Sequence, residues 1–326
     1  MSKQVIECVP NFSTSDDLII QEIKECIIDI DGVFLCNIDK GISANRTVFT
    51  FVGEPESVIK AAFAAIKKAS ERIDMNTHTG SHPRIGATDV CPIIPIKNIT
   101  KSQANDYALQ LASKVGNELS IPVYLYEYSS TNFQRSKLYQ IREGEYEKFA
   151  AKMKQPQWKP DFGPHSFNSK TGATVIGVRD LLIAFNINLH TKKVEIARTI
   201  AGRIREKNKK EGLAGIQAIG WYIKDFDVVQ VSCNITDYTQ TGLAKLFEKV
   251  SDLAIEYNTY TTGSELIGLV PYRALENMYD YVVSHNLYAH AHNPIQTAIE
   301  YLGLNTVKPF YPETHIIEYI LDKYNL

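Results

Sequence analysis

Apolar positions recur along the chain with two periods, and the switches between those periods outline its elements. Residues 4–9 form a short apolar run ending at Pro10, and the hydroxyls of Ser13, Thr14 and Ser15 offer caps for a helix over 15–28. VFLCNI at 33–38 and RTVFTFVG at 46–53 read as strands. Pro55, harmless in a first helical turn, opens a helix with Ile59, Ala62, Phe63, Ile66, Ala69 and Ile73 on one face. Residues 89–95 predict a strand, 102–119 a helix with its stripe running from Ala104 to Leu119, and IPVYLY at 121–126 another strand. Residues 128–178 lose the period, apart from a helical turn within Ser136–Glu143. Inside them QPQWKPDFGPHSFNSKTG reads as a long functional or linking connection.

The second half repeats the order. A strand at 181–188, a helix over 191–206, strands at 215–223 and 227–234 joined by a hairpin around Lys224–Asp227, a helix over 242–257 and a strand at 265–270 follow in turn. Pro271 then opens a further helix, and another closes the chain. Strand, helix, strand, strand, helix, strand also describes residues 4–94. This predicts an α+β fold of two similar α/β subdomains, 1–178 and 179–326, each with a mixed or largely antiparallel sheet flanked by helices.

Charge narrows the partners. With 35 Lys and Arg against 37 Asp and Glu, the net charge of −2 gives no general attraction to nucleic acid or an acidic membrane, which favours a small-molecule partner. No apolar run approaches the roughly 18 residues of a membrane span, and MSKQVIECVPNFS holds no signal-peptide core, so a cytoplasmic protein is expected. Cys8, Cys26, Cys36, Cys91 and Cys233 lack CxxC spacing and read as reduced core thiols.

The candidate chemistry concentrates in THTGSHPRIGATDVCPIIP at 77–95. Pro83 keeps His82 out of helical geometry, and Gly80 and Gly86 allow tight turns on either side. An imidazole there can take and return a proton near neutral pH, and a hydrogen-bonded loop histidine is the competing reading. His78 has the same two readings. Asp39 follows a predicted strand and can orient His82 or simply form the turn beside Gly41. Arg84 can anchor an anion or pair on the surface, and Asn11, Asn45 and Arg46 sit near strand ends where polar groups converge. His78 and His82 have no helix to face them together, and His290 and His292 in AHAHNP read as a helix terminus, so no metal is expected. GxGxxG and Walker patterns are absent, and the basic run RIREKNKK at 203–210 reads as a solvated helix end.

Several longer motifs carry a resemblance. ECVPNFS at 7–13, NRTVFTFVG at 45–53, HPRIGATDVCPIIP at 82–95, WKPDFGP at 158–164, FNINL at 185–189, AIGWY at 218–222 and GLVP at 268–271 are similar, in order and along essentially the whole chain, to the glutamate formimidoyltransferase family. That family includes the formiminotransferase part of formimidoyltransferase-cyclodeaminase. The resemblance implies two α/β subdomains enclosing a folate cleft or tunnel, the second completing the folate site, in a homodimer. It implies transfer of the formimino group from N-formimino-L-glutamate to tetrahydrofolate, or to its polyglutamate form, in histidine degradation. Tetrahydrofolate is then a cosubstrate.

The family's catalytic histidine falls on His82, and its folate-contacting segment on Gly163, Pro164, His165, Ser166, Phe167, Asn168, Ser169, Lys170, Thr171 and Gly172. Motif position further suggests Asp39 as the residue orienting His82, and Arg46 or Arg84 as holders of substrate carboxylates. Two alternatives stay open: an enzyme using 5-formyltetrahydrofolate as cycloligase or formyltransferase, and a folate-binding protein without catalysis. The chain ends at Leu326 after a predicted helix, so no deaminase activity is expected of it.

Overall fold

A computed structural model describes residues 3–326, apart from the side chain of Asp225; Met1 and Ser2 of the N-terminal reading lie outside the described residues. The chain divides into two units, Met1–Asp180 with Leu326, and Leu181–Asn325.

The first unit runs β1 (Val5–Cys8), β2 (Asn11–Phe12), α1 (Asp17–Ile28), β3 (Val33–Gly41), β4 (Arg46–Gly53), α2 (Pro55–Arg72), β5 (Thr88–Lys97), α3 (Lys101–Glu118), β6 (Val123–Leu125), α4 (Leu138–Arg142), α5 (Glu145–Met153) and β7 (Thr174–Val178). β1 and β2 each pair with both β4 and β5, so they form one strand position interrupted around Pro10, whose missing N–H cannot join a ladder. β3 pairs with β4, and β7 lies parallel between β5 and β6, which makes the sheet mixed. Ile6, Cys8, Phe12, Phe49, Phe51 and Ile93 face α1, α2 and α3 in the main core. Alternation sends Val90, Tyr124 and Val175 to the opposite face, where Ile141, Phe149 and Met153 of α4 and α5 cover them. Phe149 is fully buried, edge-on to Tyr124 at 5.5 Å, and burying a ring of that size is worth about 2 kcal/mol.

The second unit runs β8 (Ile183–Leu189), α6 (Val194–Ile204), β9 (Ile216–Ile223), β10 (Val228–Ile235), α7 (Leu243–Glu256), β11 (Thr261–Ile267), α8 (Tyr272–Ser284), α9 (Pro294–Tyr301), α10 (Pro312–His315) and α11 (Ile317–Tyr324). Its sheet is antiparallel, in the order β11-β8-β10-β9. The order β5-β1-β4-β3 in the first unit is the same path through the same sequence of elements. The duplication expected from the sequence is thus a duplication of topology, the split βαβ unit with its two helices on one face.

Several local expectations are corrected. The region 128–178 contains α4, α5 and β7 where little regular structure is predicted; β7 follows the turn residues 168–172 and is too short to show a period. β11 begins at Thr261, since a register shift between Thr261 and Gly263 hides the alternation of TTGS. The cap of α1 is Asp16, whose side chain accepts from Leu18 N and Ile19 N. The hydroxyls predicted to cap α1 are used elsewhere: Ser13 Oγ donates to Gly86 O at 2.7 Å, and Ser15 donates from N and Oγ to Asn45 Oδ1. The first ties the helix approach to the segment that carries His82, and the second ties it to the β3–β4 turn. None of the five cysteines forms a disulfide; Cys8 and Cys91 are buried side by side, and burial pushes the Cys8 thiol well above its usual pKa. No helix among the described residues is long and apolar enough to cross a membrane.

Candidate functional site

His82 sits in the connection from α2 to β5, residues 73–87, which the sequence pins on two sides. On one side it packs on the β3–β4 turn. Gly80 passes so close that an added Cβ would lie 2.2 Å from Ala44 O. Asn45, in the left-handed region at φ 46°, donates from Nδ2 to Thr79 O, Ser81 N donates to Ser43 O, and His78 Nε2 lies 2.8 Å from Asn45 O. On the other side it is laced to the glycine-rich segment ahead of β7. Met75 N donates to Lys170 O, Ala87 N to Thr171 O and Ala173 N to Ile85 O. The two stretches that the sequence singles out, 77–95 and 163–172, are therefore neighbours in the fold.

His82 is partly buried. Its Nδ1 lies 2.8 Å from Pro83 O, and a carbonyl only accepts, so Nδ1 carries the hydrogen and Nε2 keeps a lone pair. Arg46 Nη1 is 2.6 Å from that Nε2 and 3.0 Å from Nδ1. Burial, then the Arg46 and Arg142 guanidiniums, push the His82 pKa well below 6.5, against the opposing pull of the Pro83 carbonyl. Arg46 is itself lowered to about 10 by burial and by Arg142, with Asp89 and Asp39 acting in the other direction, and it remains charged at neutral pH. Asp39 stands on β3 opposite Val48, with its charge felt at Arg46. A titration of the ring protons by NMR is expected to show His82 neutral at pH 6.5. Arg46→Met, which removes a neighbouring positive charge, is expected to move the midpoint upward; an unchanged midpoint would contradict this electrostatic account.

Two residues of this site escape sequence reasoning. Asp89, fully buried near the start of β5, accepts from Ile85 N at 3.0 Å and forms an ion pair with Arg142 at the end of α4. A carboxylate within the apolar run GATDVCPIIP is the signal that was available for Asp89. Arg142 gives none, because it lies where the period is lost and meets its partner across 53 residues.

Arg84 turns inward. It is 5% exposed and forms a two-pronged pair with Glu147, at 2.6 and 2.9 Å, with Glu145 at 3.2 Å and its Nε on His78 Nδ1. Those acids raise its pKa and its donors are engaged inside the protein, so it ties the His82 segment to α5. His78, bonded to both Asn45 and Arg84, is part of the same tie.

In the segment 163–172, Gly163 takes φ 80° and packs on Gly116, and His165 Nε2 lies 2.7 Å from Met153 O. Phe167 packs on Tyr146 at 5.4 Å, and Tyr146 donates to Ser169 O. Asn168 Oδ1 accepts from Lys170 N and Thr171 N, while Gly172 N returns to Asn168 O. Ser166, Ser169 and Lys170 are exposed, and Pro164 is half-buried. The loop thus has a fixed backbone and several exposed polar side chains, among which Lys170 Nζ donates to Glu71 O at 2.9 Å.

The second unit carries a separate polar row. Gln230 Nε2 donates to Asn188 Oδ1 and Glu265 Oε1, Asn186 Nδ2 to the same Oε1, and Trp221 Nε1 to Gln230 Oε1. Among the described residues no group of three or more His, Cys, Asp or Glu is arranged to hold a metal ion.

Two family models match the chain, the formiminotransferase domain's N-terminal subdomain over residues 5–179 and the formiminotransferase domain over 184–322. The chain is 42% identical to a formimidoyltransferase-cyclodeaminase of Mus musculus over 325 residues, covering 98% of this chain and 60% of that protein. It is 40% identical to one of Dictyostelium discoideum, covering 98% and 61%. The chain spans about three-fifths of the length of these two relatives. A glutamate formimidoyltransferase of Streptococcus pyogenes serotype M1 is 39% identical over 279 residues, 85% of this chain and 93% of that one.

Proposed function

Because the chain belongs to the formiminotransferase family, we propose that it transfers the formimino group of N-formimino-L-glutamate to N5 of tetrahydrofolate and releases L-glutamate. The observation that carries this reading is His82, neutral and fixed by Pro83, with its Nε2 directed at an arginine whose natural partner is a carboxylate. In the reaction, the N5 lone pair attacks the formimino carbon and a tetrahedral intermediate forms. His82 Nε2 accepts the N5 proton. The bond from that carbon to the glutamate nitrogen then breaks, and His82 returns the proton to the departing nitrogen. Holding both substrates together supplies much of the rate, since the uncatalysed reaction needs their encounter in one orientation.

Arg46 occupies Nε2 in the resting site, so a substrate carboxylate that draws Arg46 away also exposes the base. Asp39 orients this group by acting on Arg46. The exposed polar side chains of 163–172, held against the His82 segment, suit contacts to folate. Arg84 serves by fixing the His82 segment to α5. The resemblance alone extends the reading to a cytoplasmic homodimer.

Measuring L-glutamate released from N-formimino-L-glutamate tests the proposal. Release is expected only with tetrahydrofolate present, one glutamate for each 5-formiminotetrahydrofolate. Release without the folate would make the activity a hydrolysis, and none with it would remove the reading. Consumption of 5-formyltetrahydrofolate and ATP instead would point to a cycloligase.

A further inference from the structure

We propose that Arg142 determines the donor's specificity by binding one of its carboxylates beside His82, and that Asp89 is the positioning residue that aims it. This rests on the transfer reading above, whose donor carries two carboxylates.

The geometry separates Arg142 from an ordinary structural ion pair. Asp89 takes one edge of the guanidinium, through Nη2 and, at 3.4 Å, Nε, and leaves Nη1 without a partner among the described residues. The Arg142 side chain is 16% exposed, so a carboxylate can reach that remaining donor within a largely buried setting, where a charge-assisted bond gains strength. The orientation is set from both ends. Asp89 is itself held by Ile85 N, three residues past His82, which fixes the pair to the catalytic segment. The short helix α4 is held by Lys152, whose Nζ donates to Gln140 O, Ile141 O and Glu143 O at 2.8 to 2.9 Å while lying over the Trp158 ring at 3.8 Å.

Arg46 completes the pattern. It places Nη1 on His82, and its Nε and Nη2 have no partner among the described residues. Two guanidiniums whose charges act on each other and on one imidazole, compensated by the carboxylates of Asp89 and Asp39, each keep a donor that a further anion can take. A dicarboxylate donor supplies an anion for each, and placement of both carboxylates would put the formimino carbon at a defined distance from Nε2.

The test compares kcat/KM for N-formimino-L-glutamate with kcat/KM for formamidine, which carries the same transferable group and no carboxylate. Arg142→Met is expected to lower the ratio of the two roughly 30-fold, the size of one charge-assisted hydrogen bond. The loss should fall on the donor KM, with the tetrahydrofolate KM unchanged. A ratio within about twofold of the original overturns the proposal, since damage to the fold or to His82 lowers both donors together. Should Arg142→Met fail to fold by circular dichroism, Arg142→Lys decides: it keeps the charge but loses the fork, and an unchanged ratio again overturns the proposal. Asp89→Asn is expected to raise the donor KM in the same direction, and an effect confined to kcat would remove its positioning role.

If the unaltered protein transfers from neither donor, the transfer reading fails. Titration calorimetry with glutarate then judges Arg142 separately. Binding that Arg142→Met weakens about 30-fold upholds the carboxylate site, and no binding to the unaltered protein overturns it.

Discussion

His82→Ala is expected to lower kcat for formimino transfer about a thousandfold, the usual share of a single general acid and base. In the proposed reaction the proton leaves N5 and reaches the glutamate nitrogen through the His82 imidazole, whose Nδ1 lies on Pro83 O and whose Nε2 lies beside Arg46. The KM for tetrahydrofolate should change little, because 163–172 is held to this segment through the backbone of Met75, Ile85 and Ala87, which the substitution leaves in place. His82→Gln separates the two functions of the ring, since an amide can hydrogen-bond but cannot carry the proton. It should be as slow as the alanine variant, and substantial activity in it would assign His82 a binding role. Circular dichroism melts of both variants check that the fold is intact.

Gly86→Ala has the largest expected effect on stability. A Cβ there would lie 2.1 Å from Ala173 O and 2.7 Å from Thr171 O, and both are backbone atoms that cannot swing aside. Making room means parting the His82 segment from the strand approach of β7, where Gly86 and Gly172 face each other in an isolated bridge and Ala87 N and Ala173 N cross. Ser13 Oγ, which bonds Gly86 O, would shift as well. A loss of about 3 kcal/mol is expected from such overpacking. In a unit of this size that corresponds to a fall of about 9 °C in the unfolding midpoint. Calorimetry on the variant measures it, and a midpoint within 2 °C of the original would mean that the two segments are not locked here.

What the sequence made legible follows from the range of the interactions. The strands and helices of both βαββαβ repeats announce themselves because each buries one face, and burial writes its period locally, as in Ile59 to Ile73 of α2. The His82 turn was legible for the same reason: Gly80, Pro83 and Gly86 fix its backbone from within a few residues. β7 was not, because its central, parallel position comes from β5 and β6, far away in sequence. The site divides likewise. His82 can be found in its own segment, whereas Arg142 acquires its meaning from Asp89, 53 residues away in the chain. Arg84 shows the converse, since an arginine next to the candidate base looked like a substrate anchor until Glu145 and Glu147, on an unanticipated helix, were seen to hold it.

The central claim is that this chain moves a formimino carbon onto folate through His82. The most direct measurement supplies N-formimino-L-glutamate labelled with carbon-13 at that carbon, together with tetrahydrofolate, and follows the label by NMR with the unaltered protein and with His82→Ala. The account predicts that the label leaves glutamate and arrives bonded to N5 with the unaltered protein, about a thousandfold faster than with the variant. Label remaining on glutamate with the unaltered protein, or arriving at the same rate with both proteins, would contradict it.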